Sequence, residues 1–120
     1  MESDFDFSQD FSYNLTNVKK FEEMISSRKS FFFDVEEFED LIEYYNSKNN
    51  FKRSLEVSKH ALSQHPNSGS LLITVAQLQL SIHKPNVALK YLQLAEKFEP
   101  FNEELFYTKA SIFSQLRKPD

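Results

Sequence analysis

Three residues whose side chains accept hydrogen bonds from the free amides of a helix's first turn, Asp34, Ser68 and Asn102, stand at one spacing of 34 residues. Caps that recur in register imply similar units stacked side by side, because one such unit exposes an apolar face that only a neighbour can bury. The same spacing separates Pro66 from Pro100, Ala61 from Ala95, Ser54 from Ala88, Leu41 from Val75, Phe38 from Leu72, and Leu72 from Phe106. It also repeats the dipeptide Lys84-Pro85 as Lys118-Pro119.

Within each period the pattern predicts two helices. Asp34 opens the first, with Glu37 placed three residues on for a capping box, and Phe38, Leu41, Ile42 and Tyr45 recur at i, i+3, i+4, i+7. The polar run 46–50 breaks it, and Phe51–Ser63 forms a second helix with Phe51, Leu55, Ser58 and Leu62 on one face, ending before Pro66. The spacing predicts matching helices over Ser70–Ser81 and Asn86–Phe98, with Pro85 suited to a first-turn position, and a last one over Glu103–Leu116. Ahead of the repeats, Thr16 is expected to cap a short helix to about Arg28 with Val18, Phe21, Met24 and Ile25 on one face. The tract Phe31-Phe32-Phe33 is too short for a membrane anchor and is read as the junction that packs this helix onto the first repeat.

Composition agrees with an all-α chain, since one Gly and four Pro leave few places for the tight turns of many-stranded sheets. Without Cys there can be no disulfide, thiolate metal site or cysteine nucleophile. The acidic start has no basic segment before an apolar run, and nothing later approaches the ~18 apolar residues of a membrane span, so a cytoplasmic protein without membrane contact is expected. Residues 1–15 carry Glu2, Asp4, Asp6 and Asp10, leaving 14 acidic against 14 basic residues in the remainder. No basic footprint for nucleic acid exists. The same stretch alternates these acids with Phe5, Phe7, Phe11 and Tyr13. It is read as a flexible tail, with an edge strand or a segment docking near Ile73, Leu80 and Tyr107 as alternatives.

These residues give the chain a resemblance to the tetratricopeptide-repeat (TPR) family, whose 34-residue signature sets a bulky aromatic, Leu-Gly, Tyr, Ala, Phe, Ala and Pro at fixed offsets. Over 35–68 the matches are Phe38, Leu41, Tyr45, Ser54, Ala61 and Pro66, with Ile42 and Ser58 departing from the pattern. Over 69–102 they are Ala76, Ala88, Ala95 and Pro100, with Leu72, Val75 and Leu92 as apolar stand-ins and Gln79 in place of tyrosine. Residues 103–120 supply Phe106, Ala110 and Phe113 of an incomplete third repeat, with Lys109 departing. The resemblance implies an all-α solenoid of TPR-type antiparallel helix hairpins (an α-α superhelix), preceded by the tail at 1–15 and the helix at 16–30. Another helical-hairpin solenoid is the alternative. It further implies the N-terminal fragment of a longer, bacterial protein.

In TPR-like arrays the first helix of each pair lines a concave groove that receives a partner polypeptide. Carried onto this sequence, the groove takes Glu36, Glu39, Asp40, Glu43, Asn46 and Ser47 from the first repeat. The second supplies Ser70, Ile73, Thr74, Gln77, Leu80 and Ser81, and the third Glu104, Tyr107, Thr108, Ser111 and Gln115. Its first wall is acidic, the wrong sign for capture of acidic chaperone tails, so a basic or amphipathic protein or peptide is the expected partner. In the last helix, Phe106, Ala110 and Phe113 are expected to pack backwards, leaving Leu105, Ile112 and Leu116 on an open end. The alternative function is therefore self-assembly, a homodimer paired through that end.

Catalysis is not expected. His60 and His65 are five apart, off the i, i+4 face of a helical metal pair, and His83 stands a period away. The carboxylates Glu36, Glu37, Glu39, Asp40 and Glu43 have no accompanying nucleophile, cofactor loop or convergent His, and one Gly cannot form a phosphate cradle. No metal or cofactor is expected.

Overall fold

The computed structural model describes residues 15–117; the expectations for the tail up to residue 14 and for the stop at 118–120 lie outside them. The described residues form six helices and no strand: α1 Leu15–Ser27, α2 Val35–Ser47, α3 Phe51–Gln64, α4 Gly69–Ser81, α5 Pro85–Phe98 and α6 Glu103–Arg117. The chain divides within α3 into two units, Met1–Val57 and Ser58–Asp120.

Local capping explains where the helices start. Asp34 Oδ1 accepts from the Glu37 amide at 2.8 Å while Glu37 Oε1 accepts from the Asp34 amide at 2.9 Å, a complete capping box. Ser68 Oγ accepts from the Leu71 amide at 3.1 Å, and Asn102 Oδ1 from the Glu104 amide at 2.8 Å. Thus α2, α4 and α6 each begin one residue after a cap of the 34-residue register.

The helix ends repeat as well. Asn49 and His83, also 34 residues apart, both have left-handed backbones, with φ of 58° and 64°. At the first, the Asn49 amide donates to Asn46 O and the Asn50 amide to Tyr45 O; at the second, the His83 amide donates to Leu80 O and the Lys84 amide to Gln79 O. Each pair is a Schellman closure, built here without glycine.

In the first unit, Phe38, Leu41, Ile42 and Tyr45 of α2 are all buried, as their spacing predicts. The Phe31–Phe33 tract lies between α1 and α2 outside any helix, and there Phe33 is fully buried while Phe32 is 70% exposed. Phe33 stands edge-on to Phe38 at 5.3 Å and tilted to Phe21 of α1 at 6.4 Å, which makes it the plug of the junction. The expected face of α3 needs correction. Phe51, Leu55 and Leu62 are only half-buried, and the buried stripe is Ser54, Val57, Ser58 and Ala61. Small side chains let helix backbones approach closely, and the Ser54 hydroxyl donates to Asn46 Oδ1 at 2.7 Å, so a polar residue sits there without an unmet hydrogen bond.

In the second unit, α4 is nearly buried all round, and Leu72, Ile73 and Ala76 share one core with Ala88, Leu92 and Ala95 of α5 and Leu105 and Ile112 of α6. Pro85 opens α5, where its missing amide leaves no hydrogen bond unmade.

Candidate interaction surfaces

On α2, burial of the apolar stripe leaves Glu36, Asp40 and Glu43 exposed and Glu39 half-buried. Glu36 sits in the first turn, where the helix dipole favours an anion, but Asp40 and Glu43 lie beyond it. Like charges at i, i+4 weaken a helix slightly, and Glu36, Asp40 and Glu43 together form an exposed band of negative charge.

The nearby carboxylate of Glu22 is already engaged. It accepts from Arg53 in the bidentate manner, Nε to Oε2 at 2.9 Å and Nη2 to Oε1 at 2.7 Å, and from the Tyr45 hydroxyl. Arg53 Nη1 reaches Glu56 at 2.5 Å. Burial works to raise the Glu22 pKa, but the hydrogen bonds from Arg53 and Tyr45 and the charge of Arg53 outweigh it and hold the carboxyl below its ordinary range. Burial, and then the Glu22 carboxylate, push the Tyr45 phenol well up. This network ties α1 to α2 and α3, and it was not legible beforehand because Glu22 and Arg53 are 31 residues apart with no sequence motif between them.

In the second unit, α4 and α6 are joined by side chains of the expected groove. Gln77 Nε2 donates to Thr108 Oγ1 at 3.0 Å and Glu104 Oε1 at 3.2 Å, and Gln115 Nε2 donates to Leu80 O at 3.2 Å. Beside them lies a depression of about 340 Å³ lined by Leu80, Ala110, Ser111, Ser114 and Gln115. Tyr107, 73% exposed, lies on the same helix. The arrangement offers a shallow, partly apolar surface with hydroxyl and amide groups.

The chain matches no protein-family model, no curated protein and no solved structure.

Not every expected surface residue is at the surface. Ile73 is 1% exposed, inside the core shared by α4, α5 and α6, so it cannot line a groove. The expectation for α6 is reversed: Leu105 and Ile112 are buried at 3% and 0%, whereas Phe106 and Phe113 are 62% and 43% exposed, and of the expected open end only Leu116 faces outward. The reason is that α6 turns its Leu105, Thr108 and Ile112 stripe to the core, where the buried Thr108 hydroxyl is met by Gln77. His83 occupies the left-handed closing position of α4, which gives it a backbone role. Among the described residues no helix is long and apolar enough to cross a membrane, and no group of His, Cys, Asp and Glu is placed to hold a metal ion.

Proposed function

We propose that the chain is a non-catalytic protein-interaction scaffold of TPR type, working in the cytoplasm, that binds a partner polypeptide on exposed faces of α2 and of α4 with α6. The observation that carries this reading is the 34-residue recurrence of whole helix boundaries: caps at Asp34, Ser68 and Asn102, and left-handed closures at Asn49 and His83. A repeated hairpin is an architecture for presenting extended surface, and its chemistry resides in what that surface displays. Here it displays the carboxylates Glu36, Asp40 and Glu43 on α2, and Gln77, Leu80, Tyr107 and Ser111 on α4 and α6. A Lys-rich segment complements the first surface by charge, and an amphipathic segment complements the second through its apolar side chains.

Parallel titrations of a Lys-rich amphipathic helical peptide and an acidic C-terminal peptide test it. The basic peptide should bind more tightly, with affinity falling as salt rises. Tighter binding of the acidic peptide would sink the proposal.

A further inference from the structure

Val87, Tyr91, Leu94 and Phe98 follow one another at steps of four, three and four along α5, the spacing that sets an apolar seam on one side of a helix. Val87, Leu94 and Phe98 are exposed, and Tyr91 is half-buried against the core. Repetition of the hairpin does not require this seam, since one period earlier the same positions on α3 are Arg53, Val57, His60 and Gln64. One flank of the seam is closed, because Ala88 and Ala95 are buried in the core with Leu72, Ile73 and Ala76 of α4. The other flank carries Lys90 and Lys97, seven residues apart and exposed, and among the described residues neither is in an ion pair. Nearby carboxylates are engaged elsewhere: Glu96 pairs with Lys109 of α6 at 3.8 Å, and Glu99 accepts from the Ser70 amide at the start of α4. Glu96 also marks the side of α5 on which α6 packs. Leu94 stands two residues from it, about 200° round the helix, so the seam faces away from α6 and from any unit stacked beyond α6.

We infer that this seam of α5 is a docking site for one acidic amphipathic helix of a partner polypeptide, with an apolar seam of its own and carboxylates seven residues apart opposite Lys90 and Lys97. Charge decides the occupant. The two lysines attract a helix with Glu or Asp on the adjoining flank and repel a basic one. A second copy is the poorer fit, because two such seams laid antiparallel bring Lys90 against Lys97, and laid parallel leave both without a carboxylate. A lipid surface also fits less well, since the free strip is one helix wide, is bounded by the core on one side, and has the spacing that interlocks with a single facing helix. The site uses none of the residues assigned to the proposed function and takes the opposite charge, so it stands independently of that reading.

The test titrates the full chain, followed by its amide resonances, with two synthetic three-heptad peptides that share leucine at every seam position and carry either glutamate or lysine at both flanks. The glutamate peptide should bind saturably with shifts centred on 87–98, and the lysine peptide should bind there more than about tenfold more weakly. Because Leu94 and Phe98 are exposed, Leu94→Ser with Phe98→Ser should keep helical content and weaken the glutamate peptide by more than about tenfold. The same variant should leave any binding of the Lys-rich peptide to α2 unchanged, which separates the two readings. Lys90→Glu with Lys97→Glu should reverse the order of the two peptides at the seam. No binding, equal affinity of the two peptides at the seam, shifts confined to other helices, or an unreversed order in the charge variant would overturn the inference. Vesicles containing anionic phospholipid are titrated in parallel, and binding to them that the Leu94→Ser, Phe98→Ser variant loses would make the seam a membrane face and overturn it. So would a dimer of the chain alone that the same variant abolishes, which would make a second copy the occupant.

Discussion

Glu99 Oε2 accepts a hydrogen bond from the Ser70 amide at 3.0 Å, across 29 residues of sequence. Its other oxygen accepts from Asn102 Nδ2 at 2.9 Å, so one carboxylate caps the start of α4 and steadies the residue that caps α6. Glu99 fits there because residue 69 is glycine: a Cβ on Gly69 would lie 2.6 Å from Glu99 Cγ.

Gly69→Ala is therefore expected to be destabilising despite alanine's better helix propensity, because it displaces Glu99. Glu99→Gly, itself a loss of about 1 kcal/mol, removes the Cβ that lies 2.9 Å from the added one as well as the Cγ, and with it in place the same change should become stabilising by up to about 1 kcal/mol. Urea unfolding of the four proteins reads the reversal of sign, and additive effects would refute the coupling.

The three caps and two left-handed closures should respond in opposite directions. Asp34→Ala, Ser68→Ala and Asn102→Ala should each destabilise by about 1 kcal/mol. His83→Gly and Asn49→Gly should stabilise by up to about 1 kcal/mol, the histidine change more, since asparagine tolerates the left-handed region better. Thermal melts of the five variants check both signs.

Because the Glu22 pKa is depressed on folding, the stability it contributes is present above its unfolded value and is lost as pH falls through that value towards the folded one. The Tyr45 pKa is raised, so its contribution is present below the unfolded tyrosine value and is lost as pH rises beyond it. Arg53→Ala should destabilise by about 1 to 2 kcal/mol at neutral pH, after allowance for partial solvent exposure, and should flatten the acid flank of the stability profile but not the alkaline one, since the Arg53 charge works to lower the Tyr45 pKa. An unchanged acid slope in the variant would refute the assignment.

The reversed face of α6 is open to a direct comparison. Ile112→Ala should cost about 2 to 4 kcal/mol, and Phe113→Ala less than about 1 kcal/mol, although the second removes the larger side chain. The same contrast separates Ile73→Ala from Tyr107→Ala. Denaturation midpoints decide it, and equal losses at residues 112 and 113 would place the core differently.

What the sequence determined by itself was whatever a few consecutive residues enforce. A side-chain cap acts over two or three positions, so Asp34, Ser68 and Asn102 marked the starts of α2, α4 and α6, and the apolar stripe of α2 was legible because one strong face admits one orientation. The left-handed closures at Asn49 and His83 carried a weaker signal, since no glycine marks them. Tertiary structure decided which side of an ambiguous helix faces inward. On α6 the Leu105 and Phe106 stripes are both apolar, and on α3 the Ser54, Val57, Ser58 and Ala61 stripe is buried in place of the bulkier Phe51, Leu55 and Leu62, a choice that side-chain size within the helix does not make. It also decided the partnerships of Glu99 with Ser70 and of Glu22 with Arg53, which join residues about 30 apart and leave no pattern in the order of the chain.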